Sequence, residues 1–212
     1  TKVYNWMAIA LLLTGLAAYF TAGSEQLIQI IFGNKILFFG LIIAEIALVG
    51  YISARIQKLT TTTAISLFLL YSILNGLTLS FIFMAYTSAS IASTFIITAG
   101  TFGAMSLYGY STKKDLTKIG NIAFMALIGI IIASVVNFFM ESSMMSWVIT
   151  YLGVLIFVAL TAYDTQKLKR IAINGFDNEE SMEKSAILGA LTLYLDFINL
   201  FLFLLRIFGD RK

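Results

Sequence analysis

Seven apolar segments divide this chain and leave little choice about its solvent. They run near 5–22, 36–54, 64–86, 91–110, 119–139, 147–164 and 186–208. At 1.5 Å per residue each is long enough, or nearly so, to cross about 30 Å of hydrocarbon as a helix. Of the 212 residues, 59% are hydrophobic and only 12% charged, whereas soluble domains carry about 25% charged residues. The mean hydropathy is +0.92. The first run is long for a signal peptide and six more follow it, so it reads as a true first span. The expected fold is all-α and integral to the membrane: a seven-transmembrane-helix bundle forming one domain over 1–212. No internal repeat stands out, which disfavours an inverted-repeat transporter.

The residues that are missing narrow the chemistry. The chain has no cysteine and no histidine, which closes off disulfides, thiol nucleophiles, Ser-His hydrolysis, His-ligated zinc and histidine pH sensing. Proton chemistry near neutral pH is left to carboxylates. Proline is absent too, so any kink must come from glycine or an inserted polar group. The net charge of +3 forms no basic stripe, and no nucleic acid is expected as a partner. Ala99 with Gly103, and Gly100 with Ala104, give the fourth span a small-residue face suited to close helix contact. The chain opens on Thr rather than Met, so residues before it are expected.

Charge asymmetry orients the spans. Arg55 and Lys58, then Lys113, Lys114 and Lys118, then Lys167, Lys169, Arg170 and Lys184 follow the even-numbered spans, while the connections after the odd-numbered ones offer only Lys35. The positive-inside rule places the first group, and the N-terminus, in the cytoplasm. Seven full crossings put the C-terminus outside. The basic tail "GDRK" disagrees with that, and a re-entrant last segment is the alternative.

Four ionisable residues stand out within the spans or at their ends. Glu45 is midway along the second span, Arg55 ends it, Asp164 ends the sixth in "TAYDTQK", and Asp196 is in the middle of the seventh. A charge at the bilayer centre costs roughly 2.5 to 3.5 kcal/mol on insertion scales, so Glu45 and Asp196 are expected to face a bundle interior and mark a pathway or proton switch. Asp164 and Arg55, where spans meet water, read singly as interfacial charges. Asn199 and Thr192 share a helical face with Asp196. Glu45 and Asn199 are candidate ion-pathway groups; Asn75 and Asn137 read as interhelical hydrogen-bonding groups. "KLKRIAI" is able to continue the sixth helix past the bilayer, and Asp177 with Glu180 has capping-box spacing for an early start of the seventh. Asp164 and Asp196 are then free to meet. Two carboxylates in contact in a low-dielectric site cannot both ionise cheaply and share a proton, titrating as a unit. Arg55 would compete for one of them once the proton leaves.

Three stretches, "TAGTFGAMSLYGYSTKKDLTKIG" (98–120), "AYDTQKLK" (162–169) and "LTLYLDFINLFLFLLRIFG" (191–209), occur in this order and spacing. With them the whole chain resembles the transmembrane Bax inhibitor motif family, the Bax inhibitor-1-like proteins, in its bacterial branch. The resemblance implies a seven-helix bundle with the C-terminal helix central. It also implies a pH-sensitive calcium leak in the bacterial cytoplasmic membrane, gated by Asp164 and Asp196 with Arg55 as basic partner, and an acidic position at Glu45. Calcium is then the permeant ion, with Asp164 and Asp196 as its candidate metal ligands and no cofactor. Oxygen ligands suit calcium, although the residues alone would equally serve protons or sodium.

Two other functions compete. The family resemblance also fits a regulator that binds a membrane-protein partner, such as a membrane protease or a stress or cell-death factor, without conducting ions. An intramembrane aspartyl protease would likewise use two carboxylates. That class, however, has G-x-G-D where this chain has Leu193-Tyr194-Leu195-Asp196, and it needs a proline element that is absent here. A retinal protein needs a lysine midway along the last span, and 186–208 has none. The chain is therefore not expected to be an enzyme.

Overall fold

The computed structural model describes residues 1–212. In chain order the helices are α1 (Lys2–Ala22), α2 (Glu25–Gly33), α3 (Lys35–Arg55), α4 (Thr61–Leu79), α5 (Phe81–Ala85), α6 (Ser88–Ser111), α7 (Thr117–Met140), α8 (Ser143–Asn174) and α9 (Glu179–Phe208). A 3-10 turn, Ile56–Lys58, follows α3. Seven helical segments, with α4 and α5 counted as one, are long and apolar enough to cross a membrane. The fold is the expected all-α membrane bundle.

Three details depart from the simplest reading of the sequence. The connection after α1 contains α2, a nine-residue helix of about 14 Å, too short to cross. Ser24 caps it by accepting from the Leu27 N–H, and Asn34 caps α3 by accepting from the Ile36 and Leu37 N–H groups. The third span is broken at Ser80, whose hydroxyl donates to the Leu77 carbonyl at 2.7 Å. An inserted hydroxyl takes the part that proline plays elsewhere. The start of α9 is capped by Asn178, which accepts from the Ser181 N–H at 2.8 Å, rather than by Asp177.

Two compact units divide the chain: Thr1–Ser88 with Phe176–Tyr194 and Arg211–Lys212, and Ala89–Gly175 with Leu195–Asp210. In the first, α1 and α4 cross at Gly76, where a Cβ would fall 2.6 Å from Ala17 Cβ and from the Thr14 carbonyl. Tyr194 of α9 is fully buried beside them, with the Phe68 and Tyr71 rings edge-on at 5.9 and 5.8 Å. Lys2 pairs with Glu183 at 3.3 Å. At the other end Tyr19 meets Phe83, and the Lys212 N–H and ammonium donate to the carbonyls of Ala85 and Phe83. From Glu183 to Lys212 the chain thus passes from the start of α1 to its end.

In the second unit small residues again set the crossings. Gly120 of α7 lies under the Tyr163 ring, Gly109 of α6 against the Ala162 backbone, and Gly153 of α8 against Phe203 of α9. The buried stripe of α6 is Ser90, Thr94, Thr98, Phe102, Ser106 and Gly109. The expected contact face is therefore corrected: Gly100 and Gly103 have nothing within 4 Å, because they lie off this stripe. Phe197 of α9 packs between Phe95 and Phe102, at 5.3 and 5.4 Å. Of the seven long apolar helical segments, α9 is the most enclosed.

Gly109→Ala drives a methyl group into the Ala162 backbone and is expected to cost about 1–3 kcal/mol, as overpacking does. Gly129→Ala faces open space and should be neutral or stabilising by up to about 1 kcal/mol. Thermal unfolding of the two variants in detergent, against the parent, checks both.

Candidate functional site

The continuation of α8 to Asn174 decides the depth of Asp164. That carboxylate lies ten residues (164 to 174) before the helix end, about 15 Å along the axis, and is 8% exposed. Asp196, within the buried face of α9, is 4% exposed. The two carboxyl groups are within hydrogen-bonding reach of one another. Neither can donate when ionised, so a hydrogen bond between them requires one proton on the pair. The second oxygen of Asp196, Oδ2, is buried with no partner.

Cations are sparse near this pair. Lys167, three residues along α8, is close enough to act on the Asp164 charge. Arg55 ends α3, is exposed, and forms no ion pair. Asn199 is half-buried and donates to the Leu195 carbonyl of its own helix at 2.8 Å. No group of three or more His, Cys, Asp or Glu side chains is placed to hold a metal. Calcium takes six to eight oxygens, and two carboxylates supply at most about four of them, so the pair by itself cannot complete a calcium shell.

Glu45 belongs to a separate constellation in the first unit. Its Oε2 accepts from Asn75 Nδ2 at 3.1 Å and its Oε1 from the Thr78 hydroxyl at 2.9 Å. The Tyr194 hydroxyl is 3.0 Å from Asn75 Oδ1 and 2.7 Å from Thr14 Oγ1. Thr14 in turn lies 2.9 Å from the carbonyls of Ala10 and Ser72. Asn75 is therefore more than a bridge between two helices; it joins a carboxylate to a buried phenol. Asn137, by contrast, has a structural part: it holds the turn between α7 and α8 through Ser146 and the Ser142 N–H.

The words around Asp164 also latch a loop. Gln166 accepts from the Leu116 N–H at 2.9 Å and donates to the Lys114 carbonyl at 2.8 Å. Arg170 pairs with Asp115 at 2.7 Å, and Lys169 donates to the Tyr110 carbonyl while lying over that ring. Asp115 sits outside the spans, and the Thr117 hydroxyl and N–H, then Arg170, hold its carboxyl well below the usual carboxylate range. Gln166, Tyr194, Thr14 and Thr78 were not legible as site residues. They carry no charge, and hydroxyls in apolar helices commonly bond their own backbone.

The family model "Inhibitor of apoptosis-promoting Bax1" matches residues 1–212. The chain is 58% identical over its whole length to the inner membrane protein YbhL of Escherichia coli (strain K12), covering 91% of that protein. It is 49% identical, again over its whole length, to an uncharacterized protein of Borreliella burgdorferi, covering 91% of it. An uncharacterized membrane protein of Streptococcus pyogenes serotype M1 is 41% identical over 98% of the chain and 90% of its own length. Seven apolar helices and a match along the entire chain place this protein in the Bax inhibitor-1-like family of membrane proteins.

Proposed function

We propose that this protein is a pH-sensitive calcium leak of the bacterial cytoplasmic membrane, gated by a proton shared between Asp164 and Asp196, and that it catalyses no reaction. The contact of two carboxyl groups that are both buried in long apolar helices carries this reading. With one proton the pair holds together; without it, two like charges in a low-dielectric site repel. The buried polar atoms without a partner, Asp196 Oδ2 and Thr94 Oγ1, support it as well, since such atoms mark places where water or an ion is taken up. Lysine and arginine placement supports a cytoplasmic N-terminus and an external C-terminus.

A regulatory role is the second reading, favoured by the latched loop over 111–117. Three side chains of α8 hold its shape, while Lys113, Lys114 and Lys118 stay exposed around it. A basic surface fixed in this way suits an acidic segment of a membrane-protein partner.

Purified protein in liposomes should pass calcium with a pH dependence between about pH 5 and about pH 8, and Asp164→Asn or Asp196→Asn should remove that dependence. Calcium flux equal to that of empty liposomes throughout would end the leak reading. Asp115→Asn is the control. A carboxylate held low in the folded state stabilises it above the unfolded value, about 3.9, and loses this only as pH falls below that value. The Asp115–Arg170 latch therefore stays ionised across the window, and the variant should keep the parent's pH profile. If Asp115→Asn flattens that profile, the sensor lies in the loop instead.

A further inference from the structure

We propose that Glu45 is a second proton-binding site, and that its protonation reverses the direction of a hydrogen-bond chain running through Asn75, Tyr194 and Thr14. The site lies wholly in the first unit and does not rest on the leak reading.

Donor counting carries the inference. Each hydroxyl has one proton to give, and an amide has a donor end and an acceptor end. With Glu45 ionised, the Asn75 NH2 donates to Oε2, as the structure has it. Asn75 Oδ1 then takes the Tyr194 proton. The Tyr194 oxygen is left as an acceptor, so the Thr14 hydroxyl must turn toward it. In this state the Thr14 proton serves neither the Ala10 nor the Ser72 carbonyl, although both lie 2.9 Å away.

Adding a proton to Oε2 makes that first contact donor to donor. Rotating the Asn75 amide by half a turn restores it: Glu45 donates to Oδ1, and the NH2 donates to the Tyr194 oxygen. The Tyr194 proton is then free for Thr14, and the Thr14 proton for the Ala10 or Ser72 carbonyl. Every group stays satisfied in both states, and the same heavy-atom positions serve each. Thr78 donates to Oε1 throughout.

The surroundings keep the site single. Tyr71 on α4 and Tyr194 on α9 are the titratable groups that act with Glu45. No charged side chain occurs on α4. Among the other elements packed on α3, α2 contributes only Glu25 and the 3-10 turn only Lys58, and neither pairs with Glu45. Glu45 is half-buried, flanked by the exposed Ile43 and Ile46, so an apolar reagent can reach it from lipid.

Dicyclohexylcarbodiimide tests this in vesicles of phosphatidylcholine and phosphatidylglycerol. A protonated carboxyl adds across one C=N bond, its proton going to nitrogen and its oxygen to carbon, and the adduct rearranges to a stable N-acylurea with nothing lost. Peptide mass spectrometry should find the adduct on Glu45. Labelling should fall in a single step, about tenfold per pH unit above its midpoint, where a coupled pair would show two. The adduct should persist in Asp164→Asn and Asp196→Asn and vanish in Glu45→Gln, so its outcome is separate from that of the calcium assay. Infrared difference spectra across the same step should show a side-chain amide band that shifts on 15N-asparagine labelling, is lost in Asn75→Leu and is altered in Tyr194→Phe. The isotope shift identifies the band in the unmodified protein even where a variant does not fold. No adduct on Glu45 from about pH 5 to about pH 9, or its titration without any change in the asparagine band, overturns the proposal.

Discussion

A carboxyl group taken out of water must find a proton, a cation or hydrogen-bond donors, or it does not stay charged. Much of this structure follows from meeting that demand within apolar helices, and the chain meets it in two ways. Asp164 and Asp196 lie within hydrogen-bonding reach of each other, a contact that needs one proton on the pair to become a hydrogen bond. Glu45 is instead given two neutral donors, Asn75 and Thr78. With no histidine or cysteine in the chain, these carboxyl groups are the acidic side chains within the spans on which the proposed pH response rests.

The demand explains the burial of α9. Tyr194 and Asp196 are two residues apart, hence about 200° around the helix, and each is buried. A helix with polar groups to shelter on opposite faces cannot present either face to lipid. Glycine makes the enclosure physically tight: at Gly153 the Phe203 ring of α9 occupies the space that a Cβ would need. Aromatic rings add to the packing of α9, Phe68 and Tyr71 against Tyr194 in the first unit and Phe95 and Phe102 against Phe197 in the second.

The spans and the sheltered last helix were legible because each rests on a large energetic term, whereas the residues only permitted the meeting of Asp164 with Asp196, which the family resemblance implied. Leaving a charge or a 20-residue apolar run in the wrong solvent costs several kcal/mol, so few arrangements survive. Smaller terms were not legible. The α2 helix is too short to register as a span, and the break at Ser80 turns on one hydroxyl bonding its own helix. On α6 the small-residue spacing at Ala99 and Gly103 was plausible, yet the contact formed at Gly109. A sequence shows that a close approach is allowed, while packing of the neighbouring helices selects where it happens. Tyr194 escaped notice for a related reason: a phenol in an apolar run reads as core until its hydroxyl partners are seen.

The stretch "AYDTQKLKR" has two tasks on one helix. Asp164 faces Asp196, and two residues on Gln166 grips both the Leu116 N–H and the Lys114 carbonyl. Arg170, one turn further, holds Asp115. An α-helix is stiff over six residues, so α8 cannot shift at Asp164 without moving the grip on the 111–117 loop or breaking it. Breaking it is expensive, because the Leu116 N–H is buried and Gln166 is its side-chain partner. On the proposed gating, a helix shift that follows loss of the shared proton would therefore also move the exposed basic loop. Conduction and partner regulation then need not be rival designs, since one helix displacement would serve both.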